Sequence, residues 1–202
     1  MNTYEAPYVK GLPNWDEIPA AELSNSPWGR PPDGLTVSAR LCYDKNGLKV
    51  RLCARESRIL SRFEGLCDMV CLDSCLEFFF CPQEKDKRYF NFEFNPRGAL
   101  YLGFGTDRHN SVRQVLTGYR ELFSVAPFGV PDGWGMEFSI PLSFMRIYLP
   151  DLSLEKGHRM RGNFYKCGDE TETPHYLCWN PIIWEKPDFH QSKFFGSIVL
   201  SS

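Results

Sequence analysis

"RYFNFEFNPRG", residues 88–98, decides the fold. Phe90, Phe92 and Phe94 alternate with Asn91, Glu93 and Asn95. Successive side chains of a β-strand point to opposite faces, so one face of this segment is phenyl rings and the other is amide, carboxylate, amide. The rings require a core. The polar face is either a solvated exterior, as one side of an antiparallel sheet commonly is, or the floor of a site.

The alternation recurs along the chain. "DSCLEFFF" (73–80) puts Leu76, Phe78 and Phe80 on one face and Cys75, Glu77 and Phe79 on the other. Leu35, Val37, Ala39, Leu41 and Tyr43 alternate, as do Leu48, Val50, Leu52 and Ala54. Between them stands Asp44-Lys45-Asn46-Gly47, where Asn-Gly predicts a two-residue hairpin turn with positive φ at both positions. "ALYLGFG" (99–105), a segment near 119–126, "WGMEFSIPLS" (134–143), "MRGNFYKC" (160–167), "HYLCW" (175–179) and "FFGSIVL" (194–200) supply further strands. Short helical turns are expected within 57–72 and in "SFMRIY" (143–148). Residues 1–34, rich in Pro and Gly, read as an irregular lead-in packed along the domain, with Trp15 and Trp28 as anchors. Residues 35–202 read as one all-β domain, an antiparallel β-sandwich or jelly roll with one or two short helical turns.

A chain of 202 residues, 43% hydrophobic and 24% charged, can bury a substantial core. Sixteen phenylalanines suit pleated layers. The net charge of -2 and scattered Lys and Arg argue against a nucleic-acid partner. No apolar run is long enough to span a bilayer, so no membrane partner is expected. The N-terminus shows no basic start followed by an apolar run, and a cytoplasmic location is the expectation. The eight cysteines, at 42, 53, 67, 71, 75, 81, 167 and 178, read as free buried thiols, because a domain of this size needs no disulfide staples.

Strand parity gathers chemistry on the polar face. Glu77 and Glu93 leave the core side, with Asn95 and Arg97 following the parity of Glu93. In the segment 160–167, Arg161, Asn163, Tyr165 and Cys167 share a face. If these strands are neighbours, one face carries acids, amides, arginine and a phenol. Paired donors and acceptors of this kind match sugar hydroxyls. Glu77 and Glu93 could alternatively form a glycosidase acid pair. Cys167, His175, Cys178 and His190 are candidate metal ligands, but they lack the close spacing of a zinc site. "GFGTDR" (103–108) lacks the lysine and helix of a phosphate-binding loop.

Taken in order, "VCLDSCLEFFF", "YFNFEFNPRGALY", "RGNFYKCGDE", "HYLCWNPI" and "PDFHQSKFFGSIVL" resemble the family 9 carbohydrate-binding modules, in particular stand-alone bacterial family 9-like proteins. The resemblance runs from about residue 15 to the C-terminus. It implies a β-sandwich. It also implies, as in xylanase-attached members, a sugar held between two tryptophans and gripped by polar side chains, with structural calcium. The acid of the "DSCLEFFF" strand is Glu77, and Trp179 of "HYLCW" would be one aromatic wall. The second wall falls at position 71, where this chain has Cys71 instead of tryptophan; Trp184 or Phe79 would be substitutes.

The resulting expectation is non-catalytic binding of a mono- or oligosaccharide by hydrogen bonding and stacking, in support of carbohydrate catabolism. The binding residues would be Glu77, Glu93, Asn95, Arg97, Asn163, Tyr165 and Trp179. Two other readings stand beside it. One is a glycoside hydrolase, or a domain associated with one, using Glu77 and Glu93. The other is a sandwich scaffold that has lost its sugar and binds a protein partner. Calcium enters only through the resemblance.

Overall fold

The computed structural model describes residues 1–202 and folds them into two facing sheets. The larger sheet has eight strands: β1 (Thr3–Ala6), β5 (Cys75–Cys81), β6 (Tyr89–Phe94), β7 (Leu100–Gly105), β8 (Ser111–Arg113), β11 (Arg159–Cys167), β12 (Tyr176–Cys178) and β13 (Gly196–Leu200). Their order is β1-β13-β11-β5-β6-β7-β8, with β12 also paired to β11. The smaller sheet has five: β2 (Ala21–Glu22), β3 (Thr36–Asp44), β4 (Gly47–Arg55), β9 (Ala126–Val130) and β10 (Gly133–Pro141), in the order β2-β3-β4-β10-β9. The two short helices are α1 (Tyr119–Leu122) and α2 (Leu142–Met145).

The phenyl face packs as its alternation requires. Phe78 and Phe80 of β5, Phe90, Phe92 and Phe94 of β6, and Phe164 of β11 are all fully buried in the layer between the sheets. Across that layer Phe138 of β10 meets Phe92 and Phe94, with ring centroids 5.7 and 4.7 Å apart. Trp179 lies in the same layer, edge-on to Tyr4 at 6.3 Å and 5.9 Å from Phe164.

One charged group interrupts this layer. Lys166 of β11 takes the inner parity and is fully buried. Its Nζ donates to Glu56 Oε1 at 3.1 Å and to the Cys167 carbonyl at 2.8 Å, and lies 2.8 Å from His175 Nε2. Glu56 also accepts from Trp134 Nε1 and Ser74 Oγ, both at 2.9 Å. A buried charge persists only when paired and hydrogen-bonded in this way.

The structure corrects three expectations. The lead-in is not irregular throughout. β1 runs parallel to β13 and β2 pairs with β3, so it is stitched into both sheets. The hairpin pairs Asp44 with Gly47, so Lys45 and Asn46 form the turn, and neither has positive φ. Asp44 Oδ1 holds it by accepting the Asn46 and Gly47 N–H groups at 2.8 and 3.2 Å. Gly47 is needed for another reason: a Cβ there would lie 2.2 Å from the Ile140 carbonyl oxygen. Finally, the strand expected near 119–126 is the helical turn α1. Tyr119 and Phe123 bury the same side at i, i+4 spacing, and Arg120, Glu121 and Leu122 between them are good helix formers.

Candidate functional site

The register of the large sheet builds the floor of a cavity. β11, β5, β6 and β7 are consecutive neighbours, so their outward residues fall in rows. One row reads Tyr165, Glu77, Glu93, Tyr101; the next reads Asn163, Phe79, Asn91, Gly103. Cys167 lies opposite Cys75. This outer face is not solvated. Every residue of β5 and β6 is buried, and the cover comes from the lead-in near Trp28, the stretch 56–74 and the segment 180–195.

The cover leaves a cavity of about 250 Å³ above Glu77, Glu93, Phe79 and Cys167. Its walls are aromatic. Trp28 stands edge-on to Tyr176 at 5.9 Å and tilted to Phe189 at 5.6 Å, and its Nε1 donates to the Trp184 carbonyl at 2.8 Å. Phe189 in turn stacks on Tyr165, centroids 4.1 Å apart and nearly parallel. Tyr101 faces in from β7, with the Arg113 guanidinium 4.6 Å from its ring centre. At the mouth, Arg108 donates to Asp188 Oδ1 at 3.0 Å, linking the β7–β8 loop to the C-terminal segment.

Electrostatically the floor is acid-rich. Burial and the neighbouring Glu93 hold the Glu77 carboxyl well above the usual carboxylate range. Burial lifts Glu93 to about 7, opposed by the Asn91 amide donating to its Oε1 at 2.8 Å. Two side-by-side acids of this kind offer a donor and an acceptor together, which neighbouring sugar hydroxyls can use. His190 is pushed the other way: burial, then the Arg108 charge, lower it to about 4, so it is neutral. Its Nδ1 lies 2.7 Å from Tyr89 Oη.

The structure brings only some of the expected residues together. Glu77 and Glu93 lie side by side on the cavity floor, with Cys71 on the wall beside them. Tyr165 lies beneath the wall, fully buried, and its Oη donates to the Phe189 carbonyl at 3.2 Å. Asn163 is spent on the backbone. Its Nδ2 donates to the Asn180 carbonyl at 2.9 Å and its Oδ1 accepts the Asn180 N–H at 2.8 Å. Asn95 closes the β6–β7 turn, accepting from the Arg97 and Ala99 N–H groups at 3.1 and 3.0 Å. Arg97 points away to Glu64 and the Ser61 carbonyl.

Trp179 is displaced furthest from its expected place. Cys178 pairs with Tyr165 on the outer face, so the next residue turns inward to the core. The aromatic wall is Trp28 instead. Trp28, Arg108, Asp169 and Asp188 all line the cavity; sequence reasoning missed them as site residues because they sit outside regular strands, where no parity applies. The signals were "PDFHQ", which holds Asp188, and "KCGDE", which holds Asp169; both lie inside stretches carrying the family resemblance.

The four metal candidates do not converge. His175 bonds to the Lys166 group and the Thr173 carbonyl, His190 to Tyr89, and Cys178 lies in the packing beneath the cavity wall. Instead Cys167 joins Cys75 and Glu77, with their ligand atoms all within 4.8 Å of one another. Two sulfurs and one carboxylate do not fit calcium, which takes six to eight oxygen ligands. No helix is long and apolar enough to cross a membrane.

Comparisons with known proteins give the family and the fold. The model of carbohydrate-binding family 9 matches residues 12–200. A solved Bacteroides uniformis structure, put forward as a carbohydrate-binding protein, is similar over 98% of this chain and 99% of its own, with 27% identity and a TM-score of 0.82. A family 9 module from Caldicellulosiruptor kristjanssonii in complex with cellotriose covers 99% of this chain and 94% of its own at 12% identity, TM-score 0.66. A family 9 module from the same organism in complex with glucose covers 99% and 96% at 13% identity, TM-score 0.63, and both share the fold. No curated protein matches the sequence.

Proposed function

The chain belongs to carbohydrate-binding family 9, and from that premise we propose that the cavity over Glu77 and Glu93 holds a single neutral sugar, or the end ring of a short glucan, without breaking a bond. The observation that carries this reading is the cavity itself: polar floor, aromatic walls, and a volume of about 250 Å³. That is below the roughly 300 Å³ at which sites for drug-sized ligands begin, so it suits one ring more than a chain laid flat. The apolar faces of the ring would lie against Trp28 and Tyr101 or Phe189, and its hydroxyls would reach Glu77, Glu93 and Arg108. That relatives of the same fold hold glucose and cellotriose supports the ligand class.

The arrangement of the acids supports binding over hydrolysis. Glu77 and Glu93 are directly opposed on adjacent strands and present the same face. They would approach a sugar from one side. Glycoside hydrolysis places its acid and its base or nucleophile on opposite sides of the scissile centre.

Calorimetric titration with glucose and with cellotriose tests the proposal. A saturable heat with one site per chain is expected, together with its loss in Glu77→Gln/Glu93→Gln. No heat with any mono- or oligosaccharide in a panel extended to xylose and galactose would overturn it. Intact cellotriose after prolonged incubation is the expected companion result.

A further inference from the structure

The cavity floor carries a donor set of which the proposed sugar recognition uses only Glu77; the two thiols beside it have no part in that reading. Cys75 and Cys167 face each other in register on β5 and β11, and Glu77 lies two residues along β5 on the same face. All three are buried, and their ligand atoms lie within 4.8 Å of one another. Glu77 receives a hydrogen bond from the Cys167 thiol, Sγ to Oε1 3.0 Å, and a thiol is a weak donor for a buried carboxyl group. The nearby cations are engaged elsewhere: Lys166 lies on the opposite face with Glu56, and Arg108 pairs with Asp188. Acceptors and soft donors thus converge without a positive charge among them.

We propose that Cys75, Glu77 and Cys167 form a three-ligand site for one thiophilic divalent cation of the zinc class, with its fourth position open to the cavity. Three protein ligands and one open position is a familiar zinc arrangement. Zinc–sulfur bonds of about 2.3 Å at a tetrahedral angle place two sulfurs about 3.8 Å apart. The ligands therefore close by no more than about an ångström, within the reach of side-chain rotation. Glu77 and Cys167 both line the cavity, so the open position faces the space where a ligand hydroxyl or a water would sit. Each thiol, and the Glu77 carboxyl where it is protonated, releases its proton to solvent on binding, with no change of oxidation state. The chelate also accounts for two cysteines in register at the floor of a polar cavity, where apolar residues would pack as well.

The test uses the reduced, chelator-stripped full chain and cobalt(II) as the probe, without sugar, so its outcome is independent of the carbohydrate reading. The expected result is a near-ultraviolet thiolate-to-cobalt charge-transfer band that saturates at one equivalent and is bleached by zinc. The band should persist in Cys53→Ser, whose thiol lies in the other sheet, and vanish in Cys75→Ser/Cys167→Ser. Glu77→Gln leaves both thiols and the packing in place. It should keep the band but weaken cobalt affinity by at least the roughly ten- to hundredfold lost with an outer-shell partner. Three results would overturn the proposal: no band from the folded, reduced protein, a band that survives the double substitution, or a Cys75–Cys167 disulfide in protein purified without reductant.

Discussion

The two faces of β5 and β6 are equally buried, yet they are buried by different things. The inner face is covered by a second sheet, so ring meets ring with no space between, as with Phe92 and Phe94 against Phe138. The outer face is covered by irregular segments, among them the lead-in at Trp28 and the loop bearing Asp188, Phe189 and His190. Loops cannot interdigitate with a sheet as another sheet does. They arch over Glu77 and Glu93 and leave a cavity. Burial by itself therefore does not separate core from site in this molecule; the covering element does.

The comparison breaks most visibly at the inner face. Phe92→Ala should destabilise the protein by about 3–5 kcal/mol, the transfer loss plus the cost of the void. Thermal unfolding would show this, while sugar affinity measured well below the transition stays unchanged. An equal loss of affinity would mean that the two faces are mechanically one unit.

The next effect belongs to the cover of the outer face and depends on pH. Burial and the charge of Arg108 hold His190 at about 4, against 6.5 for a free histidine; His109 adds to the shift, Asp188 and Asp107 oppose it, and Tyr89 is its hydrogen-bond partner. Below pH 6.5 the unfolded chain takes up a proton that the folded chain refuses. Stability should therefore fall as pH drops from 6.5 to about 4, by up to about 3 kcal/mol, and this contribution should then level off. Denaturant midpoints for wild type and His190→Gln at pH 7 and pH 4.5 check this. The two proteins should diverge at neutral pH and approach each other in acid.

Smaller effects sharpen the assignment of the cavity. Trp28→Ala should weaken sugar binding by at least about tenfold, roughly 1.5–3 kcal/mol of lost apolar contact, with only a slight change in unfolding temperature. Glu93→Gln removes a charged acceptor but keeps the shape. A loss of roughly tenfold is expected by calorimetry, the value of one hydrogen bond to a charged group.

Much of this was legible in the sequence. Alternation in 88–98 and 73–80 gives the two-sheet architecture, the inner core and the shared face of Glu77 and Glu93. Parity cannot say what lies over a face, because loops have no period. The amides of Asn95 and Asn163 were read correctly as polar-face residues, yet they end under loops and serve turns and backbone. Trp179 went wrong for a sharper reason. Its face follows from the pairing of Cys178 with Tyr165, and pairing register is not written in either strand alone. Trp28, the wall in its place, sits in a Pro- and Gly-rich stretch that carries no pattern at all.

The most direct measurement is a calorimetric titration with cellotriose of Trp28→Ala and Trp179→Phe side by side, each checked for folding by thermal unfolding. A site on the outer face predicts that Trp28→Ala stays folded and loses binding, while Trp179→Phe loses stability and binds as the wild type does. Retained binding in Trp28→Ala together with lost binding in a folded Trp179→Phe would contradict it and place the sugar elsewhere.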